Sequence, residues 1–262
     1  MDIAVITIFP DFVLQTCSIG VTGRAFEKDI ARLRCINPRD FSGDERGTVD
    51  DRPFGGGPGM VMKVDPLRSA LDSLGPSSSR LVVYLSPQGR TLRQADLIQY
   101  SQLSELVLIC GRYEGVDQRF IDCCVDEELS LGDFVLSGGE LAAAIVIDGL
   151  VRLLPGALGK QASADEDSFM AGLLDHPHFT RPEHQAEGDV PDVLLSGDHA
   201  KVAQWRRQQA LGATWLKRPD LLARMTLTDI DRTLLAQFIE KYAREGKKVG
   251  ANSLNNDIMV GL

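Results

Sequence analysis

The chain has 262 residues, 44% hydrophobic and 25% charged, which is typical of a globular protein with a buried core. Lys and Arg number 28 against 37 Asp and Glu, a formal net charge of −9. No apolar run approaches the roughly 18 residues of a membrane span, and Asp2 and Asp11 lie where a secretory signal would carry cations. The five cysteines lack a CxxC motif and fit neither a disulfide framework nor a zinc site, so we expect reduced, mostly buried thiols in a cytoplasmic protein.

The first 150 or so residues alternate short apolar runs with helical patterns. Near-continuous β-branched and leucine runs predict buried parallel strands at residues 3–8, 81–85 and 106–110. Thr91 and Gln94 have the spacing of a capping box, which predicts a helix running towards Tyr100. Strand, helix, strand is a βαβ unit, so the sequence predicts an α/β fold.

Further along, a helix is predicted over residues 138–154, followed by a linker-like stretch from Pro155 to Phe169 with little periodicity. The predicted apolar stripe of the helix comprises Leu141, Ile145, Val146, Leu150 and Leu153.

The C-terminal part shows two further helical patterns. Asp198 can cap a helix running to Gly212, and Thr228 with Asp231 forms a capping-box pattern. In the second helix one face would carry Ile230, Leu234, Phe238 and Tyr242. Residues 198–262 hold 11 Lys and Arg against 7 Asp and Glu, whereas residues 1–197 hold 17 against 30. This local basic charge is compatible with phosphate contacts and equally with a solvated helical surface.

Four loops are rich in glycine or turn residues. Residues 52–60 lack the Lys-Ser/Thr of a phosphate-binding loop and fit a surface loop equally well. The other three, 86–89, 111–115 and 131–140, follow a strand-like run or precede a helix. Ligands of open α/β sheets bind outside the carboxyl ends of the strands, so these loops could form one pocket. Nothing in them cradles a diphosphate, so they predict either a site for an adenosine without phosphates or simple tight turns.

Ten stretches resemble the bacterial tRNA (guanine-N1) methyltransferases, which belong to the SPOUT class of knotted methyltransferases. They are Val21–Arg24, Pro38–Phe41, Asp50–Met60, Tyr84–Arg90, Cys110–Gly115, Gly132–Glu140, Glu166–Phe169, His176–Glu183, Val193–Ala200 and Thr214–Leu216. The similarity runs in order from residue 1 to about residue 245. It implies an α/β domain with a parallel sheet and a deep C-terminal trefoil knot. Such a knot is an exception to the rule that folded protein chains are not knotted. The similarity further implies domain bounds of 1–160 for this knotted domain, 161–172 for a linker and 173–262 for a small all-helical, tRNA-binding domain.

The resemblance implies that S-adenosyl-L-methionine binds in three walls. The first wall contains Tyr84, Leu85, Ser86 and Pro87. The second contains Gly111, Tyr113, Glu114 and Gly115. The third contains Leu131, Gly132, Asp133, Phe134, Val135, Leu136, Gly138 and Gly139.

The implied reaction is methylation of N1 of the guanine immediately 3′ of the anticodon, by a homodimer whose active sites cross the interface. Asp167 matches the general base and Arg152 the arginine that steadies the guanine. Without the resemblance, Asp167 would be one of three linker acids, and Arg152 could merely complement the helix dipole. The candidate RNA-binding residues are Arg24, Ser163, Ser168, Lys201, Arg206 and Arg207. Mg²⁺ is a candidate cofactor without a located site.

Three positions depart from the common family pattern, in which tyrosine is frequent at Phe54 and Phe134 and tryptophan at Leu129. We expect these changes to alter affinity and not the reaction. The stretch Asp175-His176-Pro177-His178 invites a metal interpretation, but a rigid turn around the proline is favoured and no metal ligand is assigned. Two other functions stay open: a related enzyme acting on ribosomal RNA or a ribose hydroxyl, and a silent RNA-binding protein. Asp167, Arg152 and the basic C-terminal helices argue against them.

Overall fold

A computed structural model describes residues 1–159 and 166–246 of the chain. The chain divides into two compact units, Met1–Ala164 and Asp165–Leu262. No helix in the described part is both long and apolar enough to cross a membrane.

A five-stranded parallel sheet forms the centre of the first unit. Its strands are β1 (Asp2–Ile6), β2 (Arg32–Ile36), β5 (Arg80–Thr91), β6 (Glu105–Cys110) and β7 (Glu127–Ser130), in the order β2-β1-β6-β5-β7. A separate antiparallel pair joins β3 (Asp50–Asp51) to β4 (Val61–Met62). The three predicted strands and the α/β class with a parallel sheet are therefore confirmed.

Helices cover both faces of this sheet, which explains why its inner strands β1, β5 and β6 contain near-continuous apolar runs. They are α1 (Pro10–Cys17), α2 (Gly20–Glu27), α3 (Val64–Asp72), α4 (Gln94–Tyr100), α5 (Gln118–Cys124) and α6 (Glu140–Val151), with a 3₁₀ turn at Pro38–Phe41. Alternate residues of β6 illustrate the arrangement. Leu106 and Leu108 belong to the core on the α6 side, whereas Val107 and Ile109 belong to the opposite core with α3 and α5.

Strand β5 is longer than predicted. It runs to Thr91, and its pairing with β7 is interrupted between Leu85 and Arg90. Residues 86–89 therefore form an irregularity within a strand instead of a turn after it. The predicted cap at Thr91 is wrong for the same reason, since this residue pairs with Ser130. Helix α4 instead begins at Gln94, and Asp96 accepts the backbone N–H of Arg93 at 2.6 Å.

The predicted stripe on α6 is only partly buried. Val146 and Leu150 are fully buried, whereas Leu141 and Ile145 expose 49% and 52% of their surface. The apolar periodicity of α6 shows which residues share a face of the helix, but it does not show whether the rest of the chain covers that face.

The second unit contains α7 (Asp192–Leu195), α8 (His199–Lys217), α9 (Pro219–Leu222) and α10 (Asp229–Arg244). A small core of Leu173, Leu211, Trp215, Leu222, Leu234 and Leu235 joins α8, α9 and α10. Asp198 caps α8 and Thr228 with Asp231 caps α10, as predicted. Ile230, predicted on the same face as Leu234, is 71% exposed, whereas Leu234 is 3% exposed. The unit also holds an antiparallel pair, β8 (His184–Gln185) with β9 (Gly188–Asp189), which is too short for a periodic signal and makes the unit other than all-helical.

All five cysteines are free, but only Cys17 and Cys110 are buried and Cys123 is exposed, so the expectation of mostly buried thiols is wrong. Burial, aided by Asp148, raises the pKa of Cys17 to about 11.

Candidate ligand pocket at the carboxyl edge of the sheet

Three loops meet at the carboxyl edge of the sheet and line one cavity of about 250 Å³. The first is the irregular part of β5, the second follows β6, and the third joins β7 to α6. The lining residues are Tyr84–Gln88, Gly111–Gly115, Leu129–Leu131, Phe134–Gly139 and Ala142. Adjacent parallel strands end at the same edge, so residues distant in sequence are brought together.

Two glycines permit close approach between these loops. A Cβ at Gly139 would lie 2.7 Å from Cα of Cys110, and one at Gly111 would lie 2.7 Å from the hydroxyl of Tyr84. The backbone N–H of Gly139 donates to the carbonyl of Gly111 at 3.1 Å. Packing therefore requires glycine at both positions, because any side chain would separate the second loop from its neighbours.

Tyr84 and Tyr113 are two aromatic side chains of the cavity lining that differ in exposure. Tyr84 is buried, and burial together with the charge of Glu128 raises its pKa. Tyr113 is 46% exposed with a left-handed φ of 60°, and its hydroxyl accepts a hydrogen bond from Arg39 at 3.3 Å. Phe134 and Val135 of the third loop are 54% and 84% exposed, so the mouth of the cavity is apolar.

The glycine-rich segment 52–60 contacts the second loop at its C-terminal end. The backbone N–H of Glu114 donates to the carbonyl of Met60 at 2.9 Å, and a Cβ at Gly59 would meet the Glu114 side chain. In contrast, nothing lies within 4 Å of a Cβ built at Gly55, Gly56 or Gly57, and Phe54 is fully exposed.

Most of the residues predicted for a methyl donor line this cavity, but Gly132 and Asp133 are not among its lining residues. The sequence reasoning missed Gln88, Arg112, Leu129, Ser130, Ser137 and Ala142. Arg112 and Ser137 lie within the glycine loops already singled out, so their position was a usable signal. Leu129 and Ala142 lie in regular elements and gave no such signal.

The two predicted catalytic residues lie in different units. Arg152 follows α6 as its C-cap residue, and its backbone N–H donates to Asp148. Asp167 is partly buried in a turn of the second unit, and its carbonyl accepts the N–H of Met170 at 3.2 Å.

The predicted RNA contacts differ in their surroundings. Arg24 on α2 is exposed, and Ser163 lies outside the described residues. The hydroxyl of Ser168 accepts the backbone N–H of Asp175 at 2.9 Å. Lys201 is 71% exposed beside Asp198, and Arg206 is 47% exposed with Glu166 at 4.0 Å. Arg207 makes two hydrogen bonds to Asp231, at 2.8 and 3.1 Å, so it also has a structural partner.

Asp175 joins the two histidines considered as metal ligands. One ligand atom from each of Asp175, His176 and His178 lies within 4.8 Å of the others. The carboxylate already accepts Nε2 of His178 at 2.8 Å and the backbone N–H of His176 at 2.6 Å. Burial alone would raise the pKa of Asp175, but these hydrogen bonds lower it. The contacts fit the interpretation as a rigid turn, and we propose no metal there.

A doubly covered parallel sheet with a glycine-lined cavity at its carboxyl edge defines an α/β protein of the kind that binds nucleotide-like ligands. Residues 1–224 match the family described as tRNA (Guanine-1)-methyltransferase TrmD. The chain belongs to this family of tRNA methyltransferases, which confirms the resemblance read from the sequence.

Several curated relatives bear the name tRNA (guanine-N(1)-)-methyltransferase. The protein of Shewanella baltica is 54% identical over 242 residues, covering 92% of this chain and 98% of the relative. That of Actinobacillus succinogenes is 52% identical over 239 residues, covering 90% and 98%. That of Edwardsiella ictaluri is 51% identical over 254 residues, covering 96% and 100%.

Proposed function

We propose that this chain transfers the methyl group of S-adenosyl-L-methionine to N1 of the guanine immediately 3′ of the anticodon in tRNA. The observation that carries the proposal is the cavity of three loops in a chain that matches this family over residues 1–224. Apolar and backbone groups dominate the cavity, and a diphosphate cradle is absent from its lining residues. Such a lining suits an adenosine ligand without phosphate groups better than NAD or ATP.

The chemistry needs a base for the guanine. In the transfer, the bond from sulfur to the methyl carbon breaks as N1 bonds to that carbon, and S-adenosylhomocysteine leaves. Guanine N1 carries a proton, so a carboxylate beside it must accept that proton. We assign this role to Asp167. Loss of the proton places charge on O6, which the guanidinium of Arg152 would stabilise.

The protein is proposed to act as a homodimer, in which Asp167 from one protomer completes the active site beside the donor cavity of the other. Leu141 and Ile145 on α6 and Phe12 on α1 are exposed on the first unit, and α1 packs on α6. An apolar face of this kind is costly in water and suits a second copy of the chain.

The finer fold assignments remain proposals on the same resemblance. They are a trefoil knot in the first unit, domain bounds at 1–160, 161–172 and 173–262, and tRNA binding by the last of these. Because tRNA is the proposed substrate, we also propose a cytoplasmic location. Mg²⁺ is retained as a candidate cofactor, on the RNA or near Asp167.

Two tRNA transcripts test the proposal. With radiolabelled S-adenosyl-L-methionine, we expect methyl transfer to a transcript with guanine 3′ of the anticodon and none when adenine replaces it. Equal transfer to both would contradict the assignment. Transfer to ribosomal RNA or to a ribose hydroxyl would identify the related class of enzyme instead, and binding without transfer would identify a silent RNA-binding protein.

A further inference from the structure

A buried carboxylate lies behind the cavity without lining it. Glu140 is the first residue of α6 and is 1% exposed. Its Oε1 accepts the hydroxyl of Thr7 at 2.7 Å, and its Oε2 accepts Nε and Nη2 of Arg112, each at 2.9 Å. Both carboxylate oxygens are therefore occupied, as a buried charge requires.

Arg112 carries the effect of this carboxylate to the cavity. It belongs to the second loop, and its Nη1 donates to the carbonyl of Ser137 in the third loop at 3.2 Å. Its guanidinium lies 4.5 Å from the centre of the Phe9 ring. A Cβ at Gly138 would lie 2.1 Å from Nε of Arg112, so the side chain crosses the third loop where that loop has no side chain of its own.

Thr7 anchors the same carboxylate to the end of β1. It is fully buried, and its hydroxyl accepts the backbone N–H of Phe9 at 3.0 Å while donating to Glu140. One hydroxyl therefore fixes both the carboxylate and the segment that places Phe9 against Arg112. The network joins the carboxyl ends of β1 and β6 to the start of α6.

We propose that Glu140 is a positioning residue, which through Arg112 and Thr7 holds the second and third loops in the conformation that accepts the methyl donor. The identity of that donor rests on the proposed function. The carboxylate touches neither the cavity nor the reacting atoms. Its action is to restrain loops that contain five glycines, at 111, 115, 132, 138 and 139, and would otherwise sample many conformations.

Glu140→Gln tests this role because it retains the volume but removes the charge that binds Arg112. We expect the Kd and KM for S-adenosyl-L-methionine to rise about 30-fold, the ratio expected for one charge-assisted hydrogen bond. At saturating donor, kcat should stay within about twofold, since loop ordering is then supplied by the ligand. A merely structural role would instead lower the folded fraction and kcat without changing KM.

A second pair of variants keeps the test informative if Glu140→Gln does not fold. Thr7→Val removes the hydroxyl at nearly constant volume and should raise the donor Kd about fivefold, less than Glu140→Gln does because the ion pair with Arg112 remains. Thr7→Ser restores the hydroxyl and should restore the affinity. Equal affinity of the valine and serine variants would overturn the positioning role.

Glu105→Gln is the matched control in the same unit. Glu105 lies at the amino end of β6, accepts Nη2 of Arg80 at 3.0 Å, and both side chains are 12% exposed. The Glu105→Gln variant should be less stable than the parent, but its Kd for the donor should be unchanged. Titration calorimetry with S-adenosyl-L-methionine distinguishes a failure of the proposed donor from a failure of the positioning role of Glu140. No binding by the unsubstituted chain would contradict the donor and this inference with it, whereas normal binding by the parent and Glu140→Gln alike would overturn positioning alone.

Discussion

The two units of the chain organise their charged groups differently. In the first, Glu140 and Arg112 are largely buried and bonded to one another beside a cavity. In the second, Lys201 and Arg206 are exposed cations beside exposed acids, Asp198 at 3.2 Å and Glu166 at 4.0 Å. Buried charges with fixed partners suit a preformed site for a small ligand, whereas exposed cations suit a large polyanion bound mainly through phosphates. The difference predicts that the proposed donor binding and the proposed RNA binding can be perturbed separately.

The largest expected effect separates chemistry from donor binding. Asp167→Asn in the second unit should lower kcat by about 10³-fold, because the amide cannot accept the N1 proton. Donor affinity, which depends on the cavity of the first unit, should be unchanged by calorimetry. A variant that turns over normally, or that loses donor affinity, would remove the base role from Asp167.

A glycine substitution tests the first unit. Gly139→Ala places a methyl group 2.7 Å from Cα of Cys110, so the two loops must separate. Overpacking of this kind should weaken donor binding by about tenfold or more. Gly159→Ala is the control, because nothing lies within 4 Å of its Cβ, and it should bind as the parent does. Equal binding by both variants would show that the close approach is not needed.

The partly buried ion pair of Arg207 and Asp231 in the second unit predicts a pH-dependent stability. Hydrogen bonds from Arg207, and then from Thr228, lower the pKa of Asp231 against the opposing effect of burial. Its stabilisation is therefore complete above the unfolded pKa of about 4 and is lost as pH falls through the lower folded value. Asp231→Asn should reduce the free energy of unfolding by about 1.5 kcal/mol at pH 7. This value is at the low end for a hydrogen bond to a charged group, because solvent screens the partly exposed Arg207.

Tryptophan fluorescence measures this effect selectively, since Trp205 and Trp215 are the two tryptophans of the chain and both lie in the second unit. The difference between Asp231→Asn and the parent in urea should shrink below pH 4. A pH-independent difference would mean that the ionised carboxylate is not its source.

The smallest expected effect concerns salt. Lys201→Ala and Arg206→Ala should each reduce the slope of log affinity for tRNA against log salt by about 0.7 to 0.9, the value of one phosphate contact. Lys241→Ala, 73% exposed on α10, serves as the control for general charge. If all three variants shift the slope alike, overall charge and not a defined surface is responsible.

The sequence by itself determined the class, the family and most regular elements. Near-continuous apolar runs are sufficient for strands covered on both faces, and the caps at Asp198 and Thr228 depend on residues only three positions apart. These signals are local, so no tertiary information was needed. The grouping of the glycine loops also followed from one rule, that parallel strands end at a common edge.

Only the tertiary structure decided what depends on contacts between distant residues. Thr7 and Glu140 are 133 positions apart, and no local pattern predicts that a threonine hydroxyl meets a buried carboxylate behind a cavity. The continuation of β5 to Thr91 required β7 as a pairing partner, and the exposure of Leu141 and Ile145 required knowing which faces the rest of the chain covers. The hydrophobic periodicity of a helix shows that one of its faces is apolar, whereas the tertiary contacts determine what buries that face.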